Sequence, residues 1–439
     1  MSTLDHRETA GTIIPRAAVD ARLIGLIFAG AVALGVFLSG FVVREPAPYE
    51  LYMAGLVGLW ALFGLRLSRQ VTPLLVLLLL FNLGGLIALS QIPDPGVRNA
   101  PLYLAVSLFL AFTAVFFASV VEQRASLLTV IFRAWLAAAV VTAFVGILGY
   151  FDAFPGSQMF TRYGRAAGVF EDPNVFGPFL TLPGIYLLHR IMTGRPAAVL
   201  LSIPPFLIVT LGIFLSFSRG AWGLFVISAI MLTLALFIQH RRGAVRLRIL
   251  GMSIAAFAFT AVALLIALNI PAIAQLFFER AQLVQDYDAN RLGRFARHAI
   301  GFMLATERPL GIGPLQFGVI YGVDTHNIWL KALLDYSWLG FAAFLTLIAW
   351  TAAGAFRILF RARPWQPYLL CAFVVFIGHI LLGWVIDQDH WRHFYLLLGL
   401  IWGMMALEQR HQMEMVRGRE IGRSGGIRTH DPLTPSQVR

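Results

Sequence analysis

Apolar runs recur along most of this chain, and each is close to the length needed to cross a lipid bilayer. A helix needs about 20 apolar residues to span the hydrocarbon core. With 59% hydrophobic and 13% charged residues and a mean hydropathy of +0.77, the chain has more apolar surface than a water-soluble fold buries. We therefore predict an all-α, polytopic membrane protein with about 12 transmembrane helices. The predicted spans are 23–43, 50–66, 71–90, 101–121, 127–150, 174–190, 197–217, 220–238, 249–270, 327–353, 367–386 and 392–408.

Arginines are distributed unevenly between alternate loops, and this distribution predicts the orientation of the helices. Short cytoplasmic loops retain Arg and Lys, so the arginine-rich set of loops is expected in the cytoplasm. Those loops lie around 66–69, 190–195, 241–248 and 357–363. Both ends of the chain fall on the same side, as a cytoplasmic tail at 1–22 and a polar, disordered tail at 409–439. The net charge of +12 is mostly this topological signal, so nucleic-acid binding has little support.

The longest polar interruption is an insert at 271–326, which is predicted to lie on the opposite, outward side. It separates transmembrane helices 1–9, within 23–270, from transmembrane helices 10–12, within 327–408. The single cysteine, Cys371, lies inside a predicted span, so neither a disulfide framework nor a cysteine metal site is possible. The candidate functional residues are therefore polar and charged side chains of the outward loops.

His326 ends this insert and is followed at once by Asn327 and an apolar run of membrane length. Histidine can gain or lose a proton near neutral pH, and at a membrane boundary it can act as a base on a lipid-linked substrate. The alternative is a histidine that caps the helix beginning at Asn327, or that sits in the interfacial belt with Trp329. We predict that His326 is catalytic and that Asn327 is a candidate substrate contact.

Arg219 stands in the segment Ser218-Arg219-Gly220, between two predicted spans with almost no room for a loop. Ser218 is suited to cap the following helix, and the N–H groups at a helix start attract phosphate. A guanidinium also offers phosphate oxygens a bidentate fork. We therefore predict that Arg219 binds a diphosphate, the alternative being that it snorkels to lipid headgroups.

A second outward segment, 151–173, contains further polar residues. Asp172 followed by Pro173 is typical of a helix N-cap and the first helical residue, so this pair is predicted to be structural. Arg165 is a candidate substrate contact. Glu171 is expected to pair with Arg165, although either residue could contact a polar substrate instead.

Within the insert, residues 290–306 have the periodicity of an amphipathic helix that ends before Pro309. Arg291 and Arg294 fall near its start, where the helix dipole disfavours cations, which suggests an anion brought from outside. The alternative is pairing with two aspartates earlier in the insert. We predict that Arg291 binds the diphosphate and that Arg294 is a candidate substrate contact.

Lys331 and Asp335 lie four residues apart inside a predicted span, a spacing that puts them on one helix face. We expect them to pair, the alternative being that Asp335 contacts and orients substrate. The glycine-containing segment before His326 lacks the lysine of a phosphate-binding loop at the required spacing, so nucleotide binding is not supported.

Taken together, these motifs resemble the O-antigen ligase and polymerase superfamily of bacterial envelope membrane proteins. The similarity runs over most of the membrane part of the chain. It rests on Arg165 to Gly177, on Ser218-Arg219-Gly220, on Arg291 ahead of Pro309-Leu310-Gly311-Ile312-Gly313, and on His326-Asn327 followed by Asp335 and Gly340.

The resemblance implies a multi-pass protein of the bacterial inner membrane whose active site faces the periplasm. Members of that family move a glycan from an undecaprenyl diphosphate carrier to a sugar hydroxyl, which in ligases belongs to the lipid A–core of lipopolysaccharide. The resemblance implies the same reaction here, with no metal and no cofactor. Arg219 and Arg291 would stabilise the diphosphate while a neutral His326 accepts the hydroxyl proton, giving inversion at the anomeric carbon.

Two alternatives stay open at this point. A polymerase of the same superfamily uses the same donor and adds the glycan to another lipid-linked repeat unit. A membrane transporter of an anionic solute would also have many spans and outward arginines, although the predicted spans contain few ionisable residues. We predict the ligase-like transfer.

Overall fold

The computed structural model describes residues 16–44, 46–64, 67–93, 99–281 and 293–425, and within these ranges the chain is mostly helical. The helices are α1 (Arg16–Leu38), α2 (Pro48–Phe63), α3 (Thr72–Leu89), α4 (Ala100–Gln123), α5 (Leu127–Tyr150), α6 (Pro173–Thr193), α7 (Pro196–Leu215), α8 (Arg219–Gln239), α9 (Gly243–Ala267), α10 (Pro271–Ala281), α11 (Arg294–Glu307), α12 (Gln316–Tyr321), α13 (Ile328–Asp335), α14 (Ser337–Ile358), α15 (Gln366–Leu382) and α16 (Arg392–Gly425). Between α5 and α6, a 3₁₀ turn at Ser157–Phe160 precedes a short antiparallel hairpin of β1 (Thr161–Arg162) and β2 (Arg165–Ala166).

Eight helices in the described ranges are long and apolar enough to cross a membrane, namely α3 to α9 and α14. Two shorter apolar segments, Arg22–Leu38 within α1 and the whole of α15, add to this set. The prediction of an all-α, polytopic membrane protein is confirmed. The number of twelve spans stays a prediction.

The apolar run predicted as one span at 327–353 forms two helices, α13 and α14, so the prediction of a continuous helix is wrong there. The insert satisfies the backbone groups around the break. The Trp338 N–H donates to the Pro309 carbonyl at 3.1 Å, and the Ile312 N–H donates to the Leu334 carbonyl at 2.8 Å. Interrupted backbone is tolerated in a membrane protein where other protein segments supply its hydrogen bonds. The insert thereby fixes α13, which follows His326.

Close packing of α3 against α14 holds the same break in place. A Cβ atom on Gly84 of α3 would lie 2.2 Å from the Tyr336 carbonyl oxygen, so this approach requires glycine. The ring of Phe81 stacks on the ring of Tyr336, with centroids 3.9 Å apart. The residue between α13 and α14 is therefore part of the buried core.

Two predicted segments differ in extent from the structure. The amphipathic helix predicted at 290–306 is α11, which ends two residues before Pro309, while its first residues lie outside the described ranges. α16 continues to Gly425, so residues 409–425, predicted to belong to a disordered tail, are helical. Residues 426–439 lie outside the described ranges.

Candidate active site

α8 begins at Arg219, directly after its N-cap Ser218. The Ser218 hydroxyl accepts a hydrogen bond from the Ala221 N–H at 3.4 Å, which confirms the predicted cap. Gly177 of α6 packs so tightly here that a Cβ on it would lie 2.5 Å from the Cβ of Ala221. α6 therefore holds the start of α8 in a fixed position. The positive end of the helix dipole and the Arg219 guanidinium lie together at this point.

Arg165 joins the hairpin to this turn. Its guanidinium is buried, with Nε donating to the Ser216 carbonyl at 2.7 Å and Nη2 donating to the Asn174 side-chain oxygen at 2.8 Å. These hydrogen bonds tie β2 to the end of α7 and the start of α6. Glu171 is exposed, and its expected pairing with Arg165 stays a prediction.

Asp172 caps α6, as its position before Pro173 predicts. Its Oδ1 accepts a hydrogen bond from the Asn174 N–H at 2.8 Å, and Pro173 is the first helical residue. Both local predictions are confirmed. The side chain of Asp172 also reaches the cleft described below.

His326 lies immediately before α13, with its backbone in the left-handed region at φ 48°. Few non-glycine residues adopt this conformation, and such strain is concentrated at functional sites. The cap of α13 is Asn327, whose Oδ1 accepts hydrogen bonds from the N–H groups of Trp329 and Leu330. The interpretation of His326 as the helix cap is therefore wrong, and its half-exposed side chain is available to a substrate.

Asp387 lies beside His326, on the loop that connects α15 to α16. Its Oδ2 is 3.7 Å from Nδ1 of His326, a charge-pair distance somewhat longer than a hydrogen bond. A backbone hydrogen bond of 2.9 Å from the Ile328 N–H to the Gly383 carbonyl joins the start of α13 to the end of α15. This contact fixes the two segments that carry the histidine and the carboxylate.

A cleft of about 660 Å³ brings these groups together, although they come from distant parts of the sequence. Its polar lining includes Arg165, Asp172, Arg219, Arg280, His326 and Asp387. Its apolar lining includes Pro178, Leu224, Ile227, Leu381, Leu382 and Val385. The cleft therefore offers cations, a base, two carboxylates and hydrocarbon surface to a ligand.

Arg280, near the end of α10, is a cation in this cleft that the sequence analysis did not single out. Its Nε is buried and has no hydrogen-bond partner within the described part of the chain, with Oε1 of Glu279 at 3.9 Å. A buried donor without an acceptor is costly, so a bound anion would stabilise it. In the sequence Arg280 is one basic residue of a polar insert, and nothing local distinguishes it.

Of the remaining predicted site residues, some lie outside the part of the chain that the structure describes, and the others make structural contacts. Arg291 lies outside the described residues, as does the side chain of Arg294, which begins α11. Asn327 caps α13, and its amide also donates to the Trp384 carbonyl at 3.2 Å. Asp335 lies 3.7 Å from Lys331, which confirms the predicted pair. Among the described residues, neither Asn327 nor Asp335 lines the cleft.

Asp389, on the same loop as Asp387, is almost fully buried. Its Oδ2 accepts hydrogen bonds from the hydroxyls of Tyr103 at 2.6 Å and Tyr336 at 3.1 Å. Burial alone would raise the pKa of the Asp389 carboxyl, but the Lys331 ammonium and His390 outweigh it and hold that pKa below its ordinary value. The ionised carboxylate therefore anchors the loop.

Residues 204–345, about a third of the sequence, match a family model described as O-antigen ligase. The predicted resemblance to the O-antigen ligase and polymerase superfamily is thereby confirmed, and the match supports a membrane glycosyltransferase at the level of that superfamily. The matched region includes Arg219 and His326. No curated protein matches the chain.

Asp387 lies beyond the matched O-antigen ligase region and was missed in the sequence analysis. The signal that could have found it is the density of ionisable residues in Asp387-Gln388-Asp389-His390, a short loop between two apolar runs. Nothing in the sequence shows which of these residues reaches His326. Within the described residues, no group of three His, Cys, Asp or Glu side chains is arranged to hold a metal ion.

Proposed function

We propose that this protein is an O-antigen ligase-like glycosyltransferase of the bacterial inner membrane. It would move a glycan from undecaprenyl diphosphate to a sugar hydroxyl, such as one on lipid A–core, at the periplasmic face. The observation that carries this proposal is that Arg219 and His326, both within the region that matches the O-antigen ligase family model, line one cleft.

The cleft has the chemical character that a lipid diphosphate donor requires. Arg219 and the N–H groups at the start of α8 suit the diphosphate, whose negative charge increases as the glycosidic bond breaks. Arg280 and Arg165 add positive charge to the lining of the cleft. The apolar residues of the lining, such as Leu224 and Leu382, suit the first part of a polyprenyl chain. A volume of about 660 Å³ is in the ordinary range for a ligand site.

His326 is the base in this proposal. Its Nδ1 side is next to Asp387, which leaves Nε2 for the acceptor hydroxyl. Nε2 takes the hydroxyl proton as the oxygen attacks the anomeric carbon, and the bond from that carbon to the diphosphate oxygen breaks with its electron pair. Undecaprenyl diphosphate leaves, and the product is inverted. Asp387 stabilises the imidazolium until His326 returns its proton to solvent.

A transfer assay with purified protein in lipid tests the proposal. A glycan on undecaprenyl diphosphate is supplied with lipid A–core in one arm and with a second lipid-linked repeat unit in the other. Transfer to lipid A–core supports a ligase, whereas elongation of the repeat unit would make the protein a polymerase.

The His326→Gln variant addresses the base in the same assay. An amide of similar shape cannot take up a proton, so turnover should fall about 10²–10⁴-fold while donor binding is retained. His326→Ala should be no more active. Near-normal turnover by the glutamine variant would remove His326 as the base, and no transfer by the wild type in either arm would reject the function.

A further inference from the structure

Lys331 is the only lysine among the 34 lysine and arginine residues of the sequence. It lies inside α13 with a side chain only 4% exposed. Three carboxylates surround its Nζ, with Oδ2 of Asp324 at 3.2 Å, Oδ2 of Asp335 at 3.7 Å and Oδ2 of Asp387 at 3.8 Å. One buried cation therefore compensates acids from three different segments of the chain.

The carboxylate of Asp387 is shared between Lys331 and His326. The same atom, Oδ2, lies 3.8 Å from Nζ of Lys331 and 3.7 Å from Nδ1 of His326. A positive charge next to this oxygen weakens the attraction of the carboxylate for a proton on the histidine. The other oxygen of Asp387, Oδ1, is buried and accepts no hydrogen bond within the described part of the chain. The orientation of this carboxylate therefore depends on the contacts of Oδ2.

We propose that Lys331 is a positioning residue of the active site, which holds Asp387 beside His326 and offsets the negative charge of that carboxylate next to the ring. This inference rests on the proposed function, in which His326 is the base. Without the ammonium, Asp387 would attract a proton on His326 more strongly. A smaller share of the protein would then carry the base in its active form.

The site favours lysine over arginine for a geometric reason. An ammonium directs three N–H donors from one compact centre, whereas a guanidinium directs its donors within a plane. Three carboxylate oxygens lie within 3.8 Å of the Lys331 Nζ, which also lies over the Tyr103 ring, 5.2 Å from its centroid. Arginine at this position would keep the charge and lose the arrangement.

Other ionisable groups around this pair come from several elements. Those that act on Lys331 are Asp324, Asp335, Asp387, Asp389 and Tyr103, and those that line the cleft with His326 are Arg165, Asp172, Arg219, Arg280 and Asp387. The cleft arginines are unchanged in the variants below. A change in the pH profile can therefore be assigned to the charge that is removed.

The test is the pH profile of the chemical step in matched variants. Lys331→Met alone leaves buried carboxylates uncompensated and can fail to fold, so it is combined with Asp335→Asn, which removes the buried pair together. Relative to Asp335→Asn alone, the double variant should require a higher pH for half-maximal turnover, by on the order of one pH unit. Lys331→Arg should lower turnover, but its activity should fall at the same acidic pH as that of the wild type (the acid limb of the pH profile). Thermal melting in detergent checks that each variant is folded.

A second measurement does not depend on transfer. Lysine labelled with ¹⁵N at Nζ gives a single side-chain ammonium signal, because the sequence has one lysine. This signal should shift with pH as His326 gains a proton, and His326→Gln should abolish that shift. If the double variant is folded and its activity falls at the same acidic pH as that of Asp335→Asn, the proposal is overturned, while the proposed glycosyl transfer is unaffected. If the wild type transfers no glycan, the proposed function fails. In that case a lysine signal that does not respond to protonation of His326 would overturn this inference separately.

Discussion

Oδ2 of Asp387 lies 3.7 Å from Nδ1 of His326, although His326 precedes α13 and Asp387 follows α15 in the sequence. A carboxylate on this side of the ring favours the tautomer that carries its proton on Nδ1. Nε2 is then the nitrogen able to accept a proton from a hydroxyl. This relationship makes the histidine a more capable base than its position in the sequence alone indicates.

Replacing Asp387 with asparagine should slow transfer without preventing donor binding. The loss should not exceed the roughly 10²–10⁴-fold that a positioned base contributes. The variant also removes a negative charge beside His326, so the acid limb of the pH profile should move to lower pH. Turnover measured against pH, together with donor binding, checks both effects. Glu171→Gln, which changes an exposed acid of a neighbouring outward loop, is the matched control; an equal loss in that variant would contradict the assignment.

Replacing Arg219 with lysine should weaken transfer while leaving membrane expression intact. Lysine keeps the charge but loses the bidentate fork, and one charge-assisted hydrogen bond is worth about 1.5–3 kcal/mol, or roughly 10- to 150-fold. Arg291→Lys should behave in the same way if both guanidiniums hold one diphosphate. Rates with purified donor give the comparison, and Arg162→Lys, at an exposed arginine of β1, serves as control. Wild-type rates in both Arg219→Lys and Arg291→Lys would exclude the bidentate role.

Local features of the site could be predicted from the sequence because their causes are local. Ser218 and Asp172 cap the helices that follow them, and hydrogen bonds over two or three residues decide this. That Arg219 and His326 line the same cleft could be anticipated from the predicted topology, since both residues were assigned to the outward surface. These predictions needed no knowledge of how the helices pack.

The features that the sequence did not reveal depend on tertiary contacts. The break after Asp335 is stabilised by hydrogen bonds from the distant Pro309 to Gly313 segment, and the run itself is mostly apolar. Asp387 reaches His326 only because α13 is joined to the end of α15. Periodicity and composition carry no information about such pairings, which require the folded helix bundle.

Replacing Asp389 with asparagine should destabilise the protein in a pH-dependent way. The pKa of this carboxyl is held below its ordinary value in the folded state, so the ionised form contributes stability above the unfolded pKa of about 3.9. That contribution is lost as the pH falls through the folded-state pKa. Removing one member of a buried charge network costs about 3–5 kcal/mol.

Thermal melting in detergent between pH 7 and pH 3 measures the loss of stability in Asp389→Asn. The difference in melting temperature between wild type and Asp389→Asn should be largest at pH 7 and should decrease once the pH falls below about 4. Asp324→Asn, which removes another acid near Lys331 but one that is more exposed, gives the comparison. A gap that stays constant over the whole range would show that the asparagine acts through packing alone.

Cysteine labelling should place the active-site loops outside the cytoplasm. The distribution of arginines predicts that the hairpin and the loop after α15 face outward, while the loops before α7 and α9 face inward. Single cysteines are introduced by Tyr163→Cys and Trp384→Cys for the outward loops, and by Arg195→Cys and Arg242→Cys for the inward loops. All four positions are exposed, and Cys371 is replaced by alanine in each variant.

A membrane-impermeant maleimide should label the first two variants in intact cells and the other two only after the inner membrane is opened. Retained transfer activity shows that each labelled protein is folded. Labelling of Tyr163→Cys only after permeabilisation would invert the predicted topology. His326 and Arg219 would then face the cytoplasm, where a glycan carrier on the periplasmic leaflet cannot reach them, and the proposed function would fail together with the orientation.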